Sequence, residues 1–177
     1  MRVCLVGELS VGKTTICYDM INKKDFTHPT IGLDFYSVVY KNHKINLWDT
    51  AGQERYRSLL PMYIKKARVI LYVVSARYLK DEDYPYWKTY IEHNSSPDYQ
   101  LIIIVTKCDL HKNYKNDLVY LKNFFPNNII LFRFNNNISN KILNEIIKYD
   151  IPEEKPQDLV DLTHEDKYNF NKKVKCC

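Results

Sequence analysis

An α/β fold, with a six-stranded, mostly parallel sheet covered by helices on both faces, is predicted by three features of this 177-residue chain. Continuous apolar runs at Val3–Val6, Arg68–Ser75 and Leu101–Val105 have the length of strands buried on both faces. Helical patterns alternate with them, the order that produces parallel crossovers. One pair of β-rich runs, Leu33–Tyr40 and Lys44–Asp49, is joined by Lys41-Asn42-His43 and supplies a single antiparallel edge.

The elements follow in order. Val3–Val6 reads as the first strand and Lys13–Lys23 as the first helix, with Ile16 and Met20 at helical spacing. Residues 24–32 carry Pro29 and Gly32 without periodicity and read as a loop. After the β-hairpin, Thr50–Pro61 is polar and reads as a mobile loop running into a short helix. Residues 81–94 suggest a helix with Pro85 in its first turn. Asp117–Phe125 suits a helix, Ile129–Phe134 a last strand and Ser139–Tyr149 a closing helix. Residues 1–149 thus form one domain. Residues 150–177, Pro-rich and charged at first and without apolar periodicity, read as a flexible tail.

Composition narrows the function classes. Hydrophobic residues make up 45% of the chain, yet no apolar run approaches the ~20 residues that span a bilayer. A soluble body is therefore expected, and the N-terminus shows no charged-then-apolar leader pattern. The five cysteines have neither metal-ligand spacing nor a disulfide framework, which suits reduced thiols. The net charge of +5 is not gathered into a run that would suggest a nucleic-acid partner.

The chemistry is concentrated at strand ends. Gly7-Glu8-Leu9-Ser10-Val11-Gly12-Lys13-Thr14 lies between the first strand and first helix, the layout of a phosphate-binding loop. Its end glycines let the backbone curl around phosphate oxygens, and the helix N-terminus favours negative charge. Gly7, Leu9, Ser10, Val11, Gly12, Lys13, Thr14 and Thr15 are the candidate cradle. Within it Lys13 neutralises the β/γ-phosphates and the Thr14 hydroxyl suits Mg²⁺. Thr30 and Gly32 follow in the first long loop, where the Thr30 hydroxyl can reach the metal when a γ-phosphate is present. Next comes Trp48-Asp49-Thr50-Ala51-Gly52-Gln53-Glu54, closing a strand. There Asp49 can hold the metal through water, Gly52 can donate its N–H to the γ-phosphate and Gln53 can orient the attacking water. Thr106-Lys107-Cys108-Asp109 ends the Ile-rich strand. The Asp109 carboxylate can accept from guanine N1 and N2 while the Lys107 stem covers the ring. Read singly, Thr30 and Gly32 are also ordinary turn residues, and Asp49 and Asp109 ordinary caps. In this order, and at strand ends where such sheets bind ligands, the nucleotide reading wins.

With these motifs the chain resembles a small GTPase of the Ras superfamily, and more narrowly the Rab family. Ile31-Gly32-Leu33-Asp34-Phe35 and the stretch from Trp48 to Leu59 are Rab-like. Gly-Glu-x-Ser-Val-Gly-Lys-Thr and Arg-Ser-Leu-Leu-Pro-x-Tyr-Ile are most similar to the Golgi-associated Rab subgroup. The likeness runs from residue 2 to about 149, densest up to Ala67. It implies a P-loop NTPase fold, GTP or GDP with Mg²⁺ bound by Thr14, Thr30 and Asp49, and hydrolysis of GTP supported by Gln53 and Lys13. It also implies effectors reading Ile31, Phe35, Trp48 and Tyr63, an exchange factor and a GTPase-activating protein. Phe35, Trp48 and Tyr63 are otherwise ordinary core aromatics.

Four departures matter. Leu9 stands where Ras-like proteins have glycine. Either it crowds the γ-phosphate and Gln53, making hydrolysis slow, or it points outward. The first switch is about two residues shorter than the family pattern, which leaves Phe26 as the guanine-stacking ring. Thr106 replaces the usual Asn of the base motif, and its hydroxyl can donate to the phosphate loop instead. The family's Ser-Ala-Lys is missing, and Asn135-Asn136-Asn137 takes its place with the Asn136 N–H directed at guanine O6.

Lys172-Lys173-Val174-Lys175-Cys176-Cys177 ends the sequence. The paired cysteines resemble the Rab double-geranylgeranylation signal. Two lipids beside three lysines meet the two-signal requirement for stable anchoring. The resemblance therefore implies prenylation machinery as a partner and a place on the cytoplasmic face of an intracellular membrane, cycling with the cytosol. Two readings follow: a switch that recruits effectors in vesicle trafficking, or a hydrolysis-deficient, nucleotide-bound scaffold for Rab effectors or regulators. Asp109 disfavours an ATP-using enzyme.

Overall fold

The computed structural model describes residues 1–23, 30–80, 83–126 and 138–150, together with the backbone of 129–131. β1 (Arg2–Val6) leads through the glycine-bounded loop into α1 (Lys13–Met20). The hairpin β2 (Leu33–Tyr40) and β3 (His43–Thr50) follows, then a 3-10 helix (Glu54–Leu59) and α2 (Leu60–Ile64). β4 (Val69–Ser75), α3 (Tyr84–Asn94), β5 (Gln100–Thr106), α4 (Tyr114–Phe124), β6 (Ile129–Leu131) and α5 (Ile138–Ile147) complete the chain. The sheet order is β2-β3-β1-β4-β5-β6, with only the β2–β3 pair antiparallel.

Strand alternation divides the core. Cys4 and Val6 of β1, Tyr72 and Val74 of β4, and Ile103 and Val105 of β5 meet α2, α3 and α4 on one face. Val3, Leu5, Leu71, Val73, Ile102 and Ile104 meet α1 and α5 on the other. This two-sided burial is why the strand sequences are apolar throughout instead of alternating with polar residues. β1 lies between β3 and β4, so successive crossovers leave it in opposite directions. The crevice at its carboxyl end is where such a sheet holds a ligand.

Three boundaries differ from the sequence expectation, two of them for local reasons. α1 stops at Met20, not Lys23, because Asn22 turns left-handed at φ 55°. Its N–H bonds the Asp19 carbonyl and that of Lys23 bonds Tyr18, the paired closure that ends a helix in a Schellman motif. The hairpin has a two-residue turn, since His43 already pairs with Tyr40. Lys41 and Asn42 both take positive φ, 48° and 67°, as a type I′ turn requires. α4 begins three residues earlier than expected, at Tyr114, and the expected strand residues 132–134 lie outside the described part of the chain.

Candidate functional site

At the carboxyl end of β1 the chain must be glycine. Gly7 has φ 139°, and a Cβ there would overlap the Val73 carbonyl of neighbouring β4. Beyond the loop, Gly12 takes the position before α1 and its carbonyl receives the Ile16 N–H. Lys13, only 5% exposed, folds back across this loop, and its Nζ donates to the carbonyls of Gly7 (3.0 Å) and Glu8 (2.8 Å). A buried ammonium at the mouth of a curled loop is the electrostatic arrangement that a polyphosphate needs.

Asp49, the penultimate residue of β3, is fully buried. Its Oδ2 accepts from Thr14 Oγ1 at 2.6 Å and from Thr30 Oγ1 at 3.1 Å, and the two hydroxyls lie 2.9 Å apart. Its Oδ1 is buried without a hydrogen-bond partner among the described residues. Burial pushes the Asp49 carboxyl above its ordinary pKa, while the two threonines and Lys13 pull it down. One orphaned carboxylate oxygen next to two hydroxyls is an all-oxygen donor set of the kind Mg²⁺ takes. The residues present therefore fit the metal.

A cavity of about 430 Å³ is lined by Lys13, Thr14, Thr30, Gly52 and Gln53, with Leu9, Ser10 and Thr15 also contributing. Gly52 presses against the phosphate loop so closely that a Cβ would overlap the Glu8 carbonyl. Gln53 reaches the cavity, but its Oε1 accepts from Arg55 Nε at 2.7 Å. Leu9 is 52% exposed and lines the same cavity.

A second cavity of about 190 Å³ shares Gly12, Thr15 and Lys107 with the first and adds Val11, Thr106 and Asp109. Thr106 Oγ1 donates to the Val11 carbonyl at 2.6 Å, the bond to the phosphate loop expected of a hydroxyl in this position. Lys107 stands at φ 55°, with Nζ donating to the Ser10 carbonyl at 2.6 Å. Asp109 lies exposed on the 3-10 turn Cys108–Leu110. The structure thus brings the phosphate-loop and base-motif residues to adjoining cavities.

On the outer side, Phe35 faces Trp48 across the β2–β3 register, and the Trp48 and Tyr63 rings meet edge-on at 5.4 Å. Ile31 and Phe35 are exposed. Phe26, Asn136, Cys176 and Cys177 lie outside the described residues. Sequence reasoning missed two features. Thr50 lines the larger cavity, and its Oγ1 donates to the Leu5 carbonyl at 2.6 Å, tying β3 to β1. Glu8 binds Arg57 and Trp87, a pairing without local sequence signature.

The chain is similar in sequence to known proteins. A family model described as Roc, the Ras of Complex domain of DAPkinase, matches residues 2–109. Ras-related protein Rab-22A of Homo sapiens is 36% identical over 121 residues, covering 62% of this chain and 60% of that protein. A probable Rab-related GTPase of Acanthamoeba polyphaga mimivirus is 34% identical over 121 residues, covering 63% and 56%. The chain therefore spans less than two thirds of the length of these two relatives. Ras-related protein Rab-7B of Dictyostelium discoideum is 32% identical over 183 aligned positions, covering 92% of this chain and 91% of its own. Sheet order, phosphate loop and these relatives converge on one assignment: the chain belongs to the Rab-related small GTPases.

Proposed function

We propose that this protein is a guanine-nucleotide switch that binds and slowly hydrolyses GTP and recruits effectors to a membrane in vesicle trafficking. The observation that carries the reading is the convergence of Thr14 and Thr30, from two different loops, on the buried Asp49 beside Lys13.

Each residue has a role in that scheme. Lys13 exchanges its carbonyl partners for phosphate oxygens and neutralises charge that grows in the transition state. Asp49 anchors Thr14 and Thr30, and the two hydroxyls, with Asp49 acting through water, would hold Mg²⁺. When bound, the ion neutralises the β/γ-phosphate oxygens. Gly52 brings its N–H to the terminal phosphate, and Gln53 orients water once Arg55 releases its Oε1. Asp109 selects guanine, with Thr106 and Lys107 fixing the adjoining loop. Phe26 stacks on the base, and the Asn136 N–H meets guanine O6. Loss of the terminal phosphate removes a partner of Thr30 and of Gly52, and effectors reading Ile31, Phe35, Trp48 and Tyr63 sense the difference.

Leu9 and the Arg55–Gln53 bond support slow turnover, and they favour a second reading, a nucleotide-bound scaffold with negligible hydrolysis. Phosphate release from GTP with Mg²⁺, in competition with ATP, separates the readings. Release that GTP but not ATP supports bears out the switch, and no release with GTP retained bears out the scaffold. Leu9→Gly should accelerate single-turnover hydrolysis, and an unchanged rate would remove crowding as the cause. For the membrane, Cys176 and Cys177 carry prenyl groups and meet regulators on the cytoplasmic face. Deleting them should abolish recruitment and leave nucleotide binding intact. The phosphate-loop likeness to the Golgi-associated subgroup supports a Golgi address, which co-localisation tests.

A further inference from the structure

Glu8 lies in the phosphate loop, and its backbone carbonyl receives Lys13. Its carboxylate engages two other elements. Oε1 accepts from Arg57 Nη2 at 2.5 Å and from Trp87 Nε1 at 3.1 Å. Arg57 belongs to the 3-10 helix Glu54–Leu59 and Trp87 to α3. The Arg57 guanidinium also stands over the rings of Tyr86 and Trp87, 5.3 and 5.6 Å from their centroids. Its backbone carbonyl accepts from Tyr90 Oη at 2.8 Å. Side chain and backbone of one residue are therefore both fastened to α3.

What makes this more than an ordinary ion pair is the poverty of other attachments. None of the six residues of the 3-10 helix is buried. Apolar packing does not hold this segment, whereas α2 immediately after it buries Leu60 and Ile64. Charge-assisted hydrogen bonds are about twice as strong as neutral ones, and guanidinium over an aromatic face adds to them. Arg57 Nε, buried and without a hydrogen-bond partner among the described residues, is desolvated to keep this geometry. The segment begins next to Gly52 and Gln53, the residues set against the phosphate loop and the larger cavity.

We propose that Glu8 and Arg57, with Trp87, form a latch that keeps residues 54–59 docked between the phosphate loop and α3 whether or not a terminal phosphate is present, and so act as positioning residues for Gln53. Loss of that phosphate then releases Thr30 more readily than the second segment. The inference rests on the nucleotide-switch reading and specifies how the same site is regulated.

The test uses the full chain loaded with GDP or with the slowly hydrolysed analogue GTPγS. Amide hydrogen exchange of residues 54–60 is followed in wild type, Arg57→Ala, Arg57→Lys and Trp87→Phe, alongside single-turnover GTP hydrolysis and nucleotide affinity. Wild type should protect the segment equally in both states. Arg57→Ala should lose protection with GDP and lose part of it with GTPγS. Its hydrolysis rate should fall about ten- to a hundredfold, the scale of a displaced reacting group, with nucleotide affinity unchanged. Arg57→Lys, keeping charge without the fork, should recover part of both effects. Trp87→Phe removes the indole donor while keeping an aromatic ring in the core, and should weaken GDP-state protection even if Arg57→Ala fails to fold. State-dependent exchange already in wild type, or unchanged exchange in both Arg57→Ala and Trp87→Phe, would overturn the latch. Hydrolysis at the wild-type rate in folded Arg57→Ala would overturn its positioning role. A wild type that retains GTP without releasing phosphate would instead defeat the hydrolytic reading, and the exchange data would still decide the latch.

Discussion

Thr106 concentrates much of the local design in one hydroxyl. It donates to the Val11 carbonyl of the phosphate loop and lies 3.2 Å from the Val74 carbonyl of β4, joining base motif, phosphate loop and sheet. Thr106→Val keeps the shape and removes the donor to the Val11 carbonyl, at a cost of about 1–3 kcal/mol. The expected outcome is a lower melting temperature and faster nucleotide dissociation, read by thermal unfolding and by release of a fluorescent guanine nucleotide. Gly52 is constrained by space: an added methyl meets the Glu8 carbonyl and the Leu9 nitrogen. Gly52→Ala should displace the following segment and lower single-turnover hydrolysis by about a hundredfold. Thr106 was legible in the sequence because it sits where an apolar strand ends, and a buried strand end has few reasons to be polar. Thr50 stood in the same motif as Gly52, but its bond to Leu5 depends on β3 pairing with β1, which local sequence does not specify.

At the level of elements, the helices show how separate signals divide the work. α3 carries Asp83 at its start, where the side chain accepts from the Tyr86 N–H at 3.0 Å, and Pro85 occupies the first turn. Asp83→Ala should destabilise the protein by about 1 kcal/mol, measured by chemical denaturation. Pro85 in the first turn could be read from sequence, and so could the strands, since an apolar run of strand length has few alternatives. The end of α1 could not be read so easily. Asn22 serves there in the left-handed conformation that glycine usually takes, and no glycine or proline marks the stop in the sequence at that point. The pairing of Glu8 with Trp87, 79 positions apart, has no periodicity to betray it. It exists only because crossovers set α3 beside the phosphate loop.

For the whole molecule, distant segments are gathered on single carboxylates. Asp117 of α4 meets His111 Nε2 at 2.7 Å and Lys80 Nζ at 3.1 Å, linking α4 to the loop beyond the base motif and to the turn after β4. The His111 bond, then the Lys80 bond, hold the Asp117 carboxyl below its ordinary value of 3.8. A depressed folded pKa means the unfolded chain binds the proton more readily. The stability Asp117 contributes is therefore complete above 3.8 and is lost as pH falls below it. Asp117→Asn should lower the melting temperature at neutral pH and flatten its decline in acid, as a pH series of melts would record. The two tryptophans stand at different contacts of the fold. Trp48 touches Tyr63 of α2, and Trp87 lies against Glu8 and beneath Arg57. The molecule thus carries a pair of built-in optical probes on either side of the segment between β3 and β4. The ultraviolet emission of the unlabelled protein can follow that segment in real time.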